Sequence, residues 1–539
     1  MYQAIPEVVN KKYGEFNMVK KSFADIKPKY RFRTIQNLKS KTCTERSRSI
    51  QNLKWVVSAL VVTFAFLLFT VNFSVAATAQ AKHYTELQLP PLPEIKLPKY
   101  ERFVLQNGLV VYLMEDRELP LVKGTVLVRT GNRLEPLEKV GLAGFTGAVM
   151  RTGGTTKHSA DELNEILEQR AASVETAIGE TAGSASFDAL SENLETVFGL
   201  FAEVLRSPVF AQEKLDLAKT QARGAIARRN DDPNGIANRE FRKLLYGKDS
   251  AYGRTTEYAT IDRVSREDLL KFYQQYFHPN NMILGIVGDF DTKKMRSLVQ
   301  AKFGDWKPNP KITKPQLPEV SPANSGGVFF VNQPQLTQSS VLIGHLGGEF
   351  NNPDYPALSV LNEVLNGFGG RLFNELRSRQ GLAYSVYGFW SPRYDYPGMF
   401  VAGGQTRSDA TVQFVKALEA EIKRIQTEKV TPKELAFAKE STLNSFVFNF
   451  QDPSQTLSRL MQYEYYGYPA DFLFRYQKAV AATTVDDVQR AAQKYLKPEN
   501  IVTLVVGNQT AIQPPLTQLA AQVTPIDVTI PDLQPQAKN

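Results

Sequence analysis

Two stretches 219 residues apart constrain this chain more than anything in its composition. They are "REDLLKFYQQYFHPNNMILGIVGDF" (Arg266 to Phe290) and "VDDVQRAAQKYLKPENIVTLVVGNQ" (Val485 to Gln509). Tyr276, Pro279 and Gly288 of the first recur as Tyr495, Pro498 and Gly507 of the second. Each copy sets Ser or Thr three residues ahead of Asp, at Ser265/Asp268 and Thr484/Asp487, which predicts a capped helix start. An amphipathic helix, a Pro turn and an apolar strand follow in both. The chain therefore reads as one unit written twice, two homologous domains of about 220 residues.

Between the halves runs "WKPNPKITKPQLPEVSPANSGG", residues 306–327, with five prolines and no long apolar run, the composition of a linker. Each half opens on strand-like segments, "RFVLQNGLVVYLMED" with Asn107-Gly108 as a hairpin turn and "GGVFFVNQPQLTQSSVLIGHLGG". Longer amphipathic helical patterns follow. The expected fold is α+β: two homologous domains, each a largely antiparallel sheet covered by helices on one face and joined by a Pro-rich linker. The boundaries read as a leader 1–81, a Pro-rich spacer 82–96, a first domain 97–305, the linker 306–327, a second domain 328–510 and a tail 511–539.

The net charge of +9 suggests a polyanion ligand until it is located. Residues 1–81 hold 13 Lys/Arg against 4 Asp/Glu, while residues 82–539 hold 51 of each sign, so the body has no pull on nucleic acid. In the leader, Trp55 to Ala81 carries no charge, and its apolar stretch 55–71 has the length of a secretory h-region or a short membrane span. Ala77-Thr78-Ala79 and Ala79-Gln80-Ala81 fit small-residue cleavage sites. Export is expected, to a bacterial periplasm or comparable lumen, with a signal peptide or a membrane anchor giving contact with the bilayer. The one cysteine, Cys43, lies in this leader, so the body uses neither disulfides nor thiolate chemistry.

The order of "LQNGLVVYL", "GNRLEP", "GLAGFTGAVMRTGG", "NDDP" and "GGRLFNELRSRQGLAYSVYGFWSP" resembles the pitrilysin/insulinase zinc peptidase family, in its processing-peptidase branch, over roughly residues 97–510. Active members carry H-x-x-E-H on a helix of the first half, two histidines one turn apart for zinc and a glutamate to activate water. On this sequence those positions are Gly144, Gly147 and Ala148, and the family's distal carboxylate ligand falls at Ala225, or at Gly224 one residue earlier. None of these side chains binds a metal or accepts a proton. The four histidines, His83, His158, His278 and His345, are separated by at least 67 residues and read as surface or packing residues. No cofactor is expected in this chain; zinc is expected on a partner.

The resemblance also implies that an arginine and a tyrosine seven residues apart in the second half reach into an active site and hold substrate and a developing oxyanion. The matching residues are Arg377 and Tyr384. Read without the resemblance, a strand tyrosine is core and an arginine at a helix end complements the dipole. "NGFGG", Asn366 to Gly370, lacks the Lys-Ser/Thr of a phosphate loop and reads as a tight turn. Ser173 to Leu190 occupies the place where family members offer an edge strand to extended substrates, and reads equally as a buried hairpin. The implied function is a metal-free subunit of a heteromeric zinc metalloendopeptidase that processes peptides or precursors, paired with a zinc-binding homologue. The alternative is a non-catalytic scaffold or peptide-binding protein, resembling the core proteins of respiratory complexes.

Overall fold

The computed structural model describes residues 96–530 apart from Phe368. The leader, with Cys43 and the apolar run 55–71, lies outside the described residues, as do His83 and nearly all of the spacer. Among the described residues no helix is long and apolar enough to cross a membrane.

Two six-stranded sheets carry the fold. The first is built from β1 (Glu101–Val104), β2 (Val110–Glu115), β3 (Leu121–Val128), β4 (Ser173–Ile178), β5 (Gly183–Leu190) and β6 (Met282–Gly288), in the order β1-β2-β6-β3-β5-β4. The second holds β7 (Val328–Asn332), β8 (Gln338–Leu346), β9 (Ala383–Ser391), β10 (Met399–Arg407), β11 (Val502–Gly507) and β12 (Val523–Pro525), in the order β12-β7-β11-β8-β10-β9. In both, the last long strand inserts parallel to β2 or β7 and antiparallel to β3 or β8. The remaining pairs are antiparallel except β12 with β7. The Asn107-Gly108 turn joins β1 to β2, with Gly108 at a positive φ of 87° that favours glycine.

Helices of the first half are α1 (Leu142–Thr152), α2 (Ala160–Glu168), α3 (Leu194–Arg206), α4 (Gln212–Ala227), α5 (Pro233–Tyr246), α6 (Tyr258–Asp262), α7 (Arg266–Tyr276) and α8 (Thr292–Phe303). Those of the second are α9 (Tyr355–Leu365), α10 (Thr411–Thr427), α11 (Pro432–Asn444), α12 (Pro453–Tyr466), α13 (Phe472–Ala482) and α14 (Val485–Tyr495). The repeat is visible in the caps, since Ser265 and Thr484 each accept from the amide three residues on while Asp268 and Asp487 reach back.

Coverage on one face is where the sequence reading needs correction. Every residue of β6 and β11 is buried, so both faces of each sheet must be shielded. The outer face of each is closed by a helix from the other half. Ile236, Phe241 and Leu245 of α5 pack on Val331, Leu342, Val502 and Leu504 of the second sheet. Leu457, Leu460 and Met461 of α12 pack on Met114, Ile283 and Val287 of the first. These helices are equivalents in the repeat: Asp232-Pro233 and Asp452-Pro453 start them, the Asp capping the following amides. Six residues after each proline an arginine binds back to the preceding loop, Arg239 to Arg229 O and Asn230 Oδ1, Arg459 to Asn449 O and Oδ1.

The exchange is tied by ion pairs, one of them buried. Arg133 makes two bonds to Asp395, at 3.0 and 2.7 Å, with 4% of its side chain exposed. Arg102 and Tyr112 both donate to Glu464 of α12. Within the tail, Val523–Pro525 adds β12 beside β7, and Ile526 N donates to Phe330 O, pairing backbone groups of the β7 edge. The linker is without regular structure, though Tyr252 Oη donates to Pro318 O.

At Gly285 on β6 a Cβ would run into Met461 Sδ and lie 3.2 Å from Leu457 Cδ2, so α12 can approach the first sheet only over a glycine. Gly285→Leu is expected to cost about 1–3 kcal/mol through overpacking, read as a lowered melting temperature of the whole chain.

Candidate functional site

Helix α1 is set in place by a carboxylate. Glu135 accepts from Gly141 N at 2.9 Å and Ala143 N at 2.8 Å, placing a negative charge at the helix N-terminus. Burial raises its pKa, and the two amide bonds oppose that rise. At the other end Arg151 Nε donates to Val174 O at 2.9 Å, and midway Thr176 Oγ1 donates to Gly147 O at 2.6 Å. Helix and edge strand β4 are thus zipped together.

The positions matching the zinc motif do not share one environment. Gly144 and Ala148 are exposed, and a Cβ at Gly144 would meet nothing within 4 Å. Gly147 is buried against β4: a Cβ there would run into Ile178 N and lie 2.7 Å from Ala177 C and 2.9 Å from Ala177 Cα. Ala225 is exposed on α4, which packs on α1, and Gly224 likewise has open space at its Cβ position. Donor chemistry fails the zinc that the fold family implies, although the ligand positions themselves are open. No metal-binding side chain stands at any of these positions, and at Gly147, the place of the glutamate base, the β4 backbone leaves no room for a side chain.

The described histidines are occupied elsewhere. His158 Nδ1 lies 2.9 Å from Glu203 Oε1, and His278 Nε2 lies 2.7 Å from Gln274 O. His345 is buried, accepting at Nε2 from Lys497 N and donating from Nδ1 to Leu346 O, and burial lowers its pKa. Among the described residues no three His, Cys, Asp or Glu side chains gather where they could hold a metal.

Arg377 and Tyr384 are brought together. Arg377 lies in a π-helical turn, Phe373–Arg379, and its Cζ sits 4.7 Å from the Tyr384 ring centroid and 4.8 Å from that of Phe373. A guanidinium lying over a ring keeps its in-plane N–H groups available. The other arginines of the motif are spent on carboxylates: Arg379 Nε donates to Glu375 at 2.6 Å, and Arg371 makes two bonds to Glu434 at 2.7 and 3.2 Å. Arg377 has no ion-pair partner and donates no side-chain hydrogen bond among the described residues.

Tyr384 owes its position to a bulge that sequence reasoning missed. Gln405 of β10 pairs with Ser385 and Thr406 with Ala383, leaving Tyr384 unmatched between them. It is 83% exposed, and so not the core residue that a strand tyrosine usually is. Thr406 Oγ1 pins the turn ahead of it by donating to Leu382 O at 2.6 Å. Both β9 and β4 lie at the open edges of their sheets.

Arg371 anchors the start of this motif to the capped N-terminus of α11. Its guanidinium, together with the Thr431 amide and hydroxyl, holds the Glu434 carboxyl down at about 2 against an ordinary 4.5. The contribution of this carboxylate is therefore complete above pH 4.5 and is lost as pH falls to about 2. With Glu434 partly in solvent, about 1–2 kcal/mol is expected. Urea melts of wild type and Glu434→Gln should converge toward pH 2 and separate above pH 4.5.

Comparison with known proteins places these features in a family. Residues 110–254 match the insulinase (peptidase family M16) model, and residues 263–442 match the model described as the peptidase M16 inactive domain. An uncharacterized zinc protease of Rickettsia felis is 26% identical over 340 residues, covering 62% of this chain and 80% of that protein. The non-peptidase homolog YmxG of Helicobacter pylori is 22% identical over 414 residues, covering 75% of this chain and 93% of its own. Among solved structures, a peptidase M16 inactive domain from Pseudomonas fluorescens superposes with a TM-score of 0.68 at 24% identity, covering 77% of this chain and all of that one. The periplasmic protease PqqL of Escherichia coli superposes at 0.64 with 15% identity, over 82% of this chain and 50% of that one.

Proposed function

This chain belongs to the insulinase family, peptidase family M16, and is of its inactive type; from that premise we propose that it is the zinc-free subunit of a heteromeric metalloendopeptidase. A homologous partner with an intact H-x-x-E-H supplies metal and general base. This chain supplies Arg377 and Tyr384 to the shared site. The observation that carries the reading is the pair itself, an arginine without a carboxylate partner among the described residues, lying over a tyrosine that a bulge turns into solvent.

The chemistry asked of the pair is binding and orientation. Arg377 offers a fixed positive charge with free N–H groups, and Tyr384 a neutral hydroxyl donor, to a peptide carbonyl whose oxygen gains negative charge. Donors of this kind, held in place before the reaction, are worth about 3–4 kcal/mol of barrier. The substrate class is peptides or precursor proteins in extended form. The leader's composition supports work in an exported compartment, free in the lumen or held at the membrane.

The test is reconstitution. The tagged chain is isolated from its source, the co-purifying zinc-bearing homologue is expressed separately, and chelator-sensitive peptide cleavage is measured for each alone and for the mixture. Activity confined to the mixture is expected. A partner fully active without this chain, or no zinc-bearing homologue in the complex, overturns the reading and leaves the scaffold or peptide-binding alternative.

A further inference from the structure

A cavity of about 640 Å³ lies apart from the Arg377/Tyr384 motif, between the loop that opens at Glu349 and the turn that joins α12 to α13. Tyr394 is the hub of its aromatic wall. Its ring lies 4.6 Å from Phe350, 4.6 Å and nearly parallel to Tyr466, and 5.5 Å and edge-on to Tyr468. The Tyr468 hydroxyl is fixed by donating to Tyr394 O at 2.8 Å.

Two carboxylates share this space and differ in their partners. Asp395 is neutralised by Arg133. Glu349 has only the Asn351 side-chain amide, at 3.3 Å, and no ion-pair partner among the described residues. Burial raises the Glu349 pKa, the Asn351 hydrogen bond opposes that rise, and the nearby Asp395 adds to it. Burial and then Glu349 likewise push the Tyr468 phenol up to about 12. Of the cations in the wall, Arg475 is held by Asp471 at 2.8 Å, and Lys314 makes no ion pair among the described residues. The space is therefore aromatic, with the Glu349 carboxylate lacking an ion-pair partner among the described residues.

We propose that this cavity binds an alkylammonium group, the rings around Tyr394 taking its apolar surface and the Glu349 carboxylate its charge. The same chemistry is carried by a free organic amine and by a lysine side chain of a peptide. The site stands independently of the role of Arg377 and Tyr384, and it is tested on this chain alone.

The experiment titrates the full chain at low ionic strength with n-butylammonium, with n-butanol as neutral comparator, and with the tripeptide acetyl-Ala-Lys-Ala-amide, following ligand-observed NMR. Butylammonium is expected to saturate and butanol to bind at least about tenfold more weakly. Glu349→Gln, and separately Tyr468→Leu, should weaken butylammonium about tenfold while leaving the melting temperature near that of wild type. If the tripeptide binds as well as butylammonium, the occupant is a basic side chain; if it is excluded, the occupant is a free amine, and either result sustains the site. Equal binding of butanol and butylammonium, no binding of butylammonium, or wild-type affinity in a folded Glu349→Gln chain overturns it.

Discussion

Rebuilding the zinc motif as Gly144→His, Gly147→Glu and Ala148→His is expected to yield a chain destabilised by more than about 3 kcal/mol, without a zinc site. The reason is Gly147, not its neighbours. Both histidines would project from exposed positions on α1, where a side chain at 144 meets nothing. The glutamate would begin inside the backbone of β4, its Cβ 2.7 Å from Ala177 C, and admitting it means parting α1 from β4 at the Thr176 and Arg151 bonds. Its carboxylate would then start from a buried position with no partner. Gly144→His with Ala148→His alone should melt within about 1 kcal/mol of wild type, while adding Gly147→Glu lowers stability sharply. Thermal unfolding of the two variants, with zinc content by atomic absorption, separates these outcomes. A stable triple variant that takes up one zinc ion would show that only side chains were lost.

The second large effect is expected in the assembled complex. Tyr384→Phe removes one hydroxyl and leaves the ring on which Arg377 lies, so kcat should fall by about 10²-fold with KM changed little, the mark of a contact made in the transition state. Arg377→Lys keeps the charge but gives up the planar fork stacked between Phe373 and Tyr384, and about as large a loss is expected. A rise in KM with kcat unchanged would instead make the pair a grip on the substrate's ground state.

How much of this was legible in the sequence depends on whether a feature leaves a local mark. The duplication does, because a cap, a Pro turn and an apolar strand recur at one spacing, and the two sheets followed from it. The double-sided coverage of each sheet has a weaker mark. The almost wholly apolar runs of β6 and β11 call for two shields, but which helix crosses over is decided by tertiary contact. The Asp-Pro starts of α5 and α12, with an arginine six residues on, were the available signal.

At the candidate site the motif gave the residues and not their setting. A bulge is a slip in pairing between β9 and β10, and nothing in "GLAYSVYGF" says that Tyr384 is the unmatched residue. The Glu375/Arg379 pair could be read from its i,i+4 spacing. Arg371 finds Glu434 sixty-three residues away, so the isolation of Arg377 among three motif arginines emerges only in three dimensions. The tail strand β12 was missed because three residues carry no periodicity to detect.

The most direct test of the central claim is the ratio of chelator-sensitive cleavage rates between the wild-type complex and one carrying Arg377→Ala/Tyr384→Phe, at equal recovery of both subunits. A ratio of about 10² or more is predicted, since both donors leave the shared site together. A ratio near one, in a complex of unchanged composition, would contradict the account: Arg377 and Tyr384 would then have no part in catalysis, and the chain would be a scaffold.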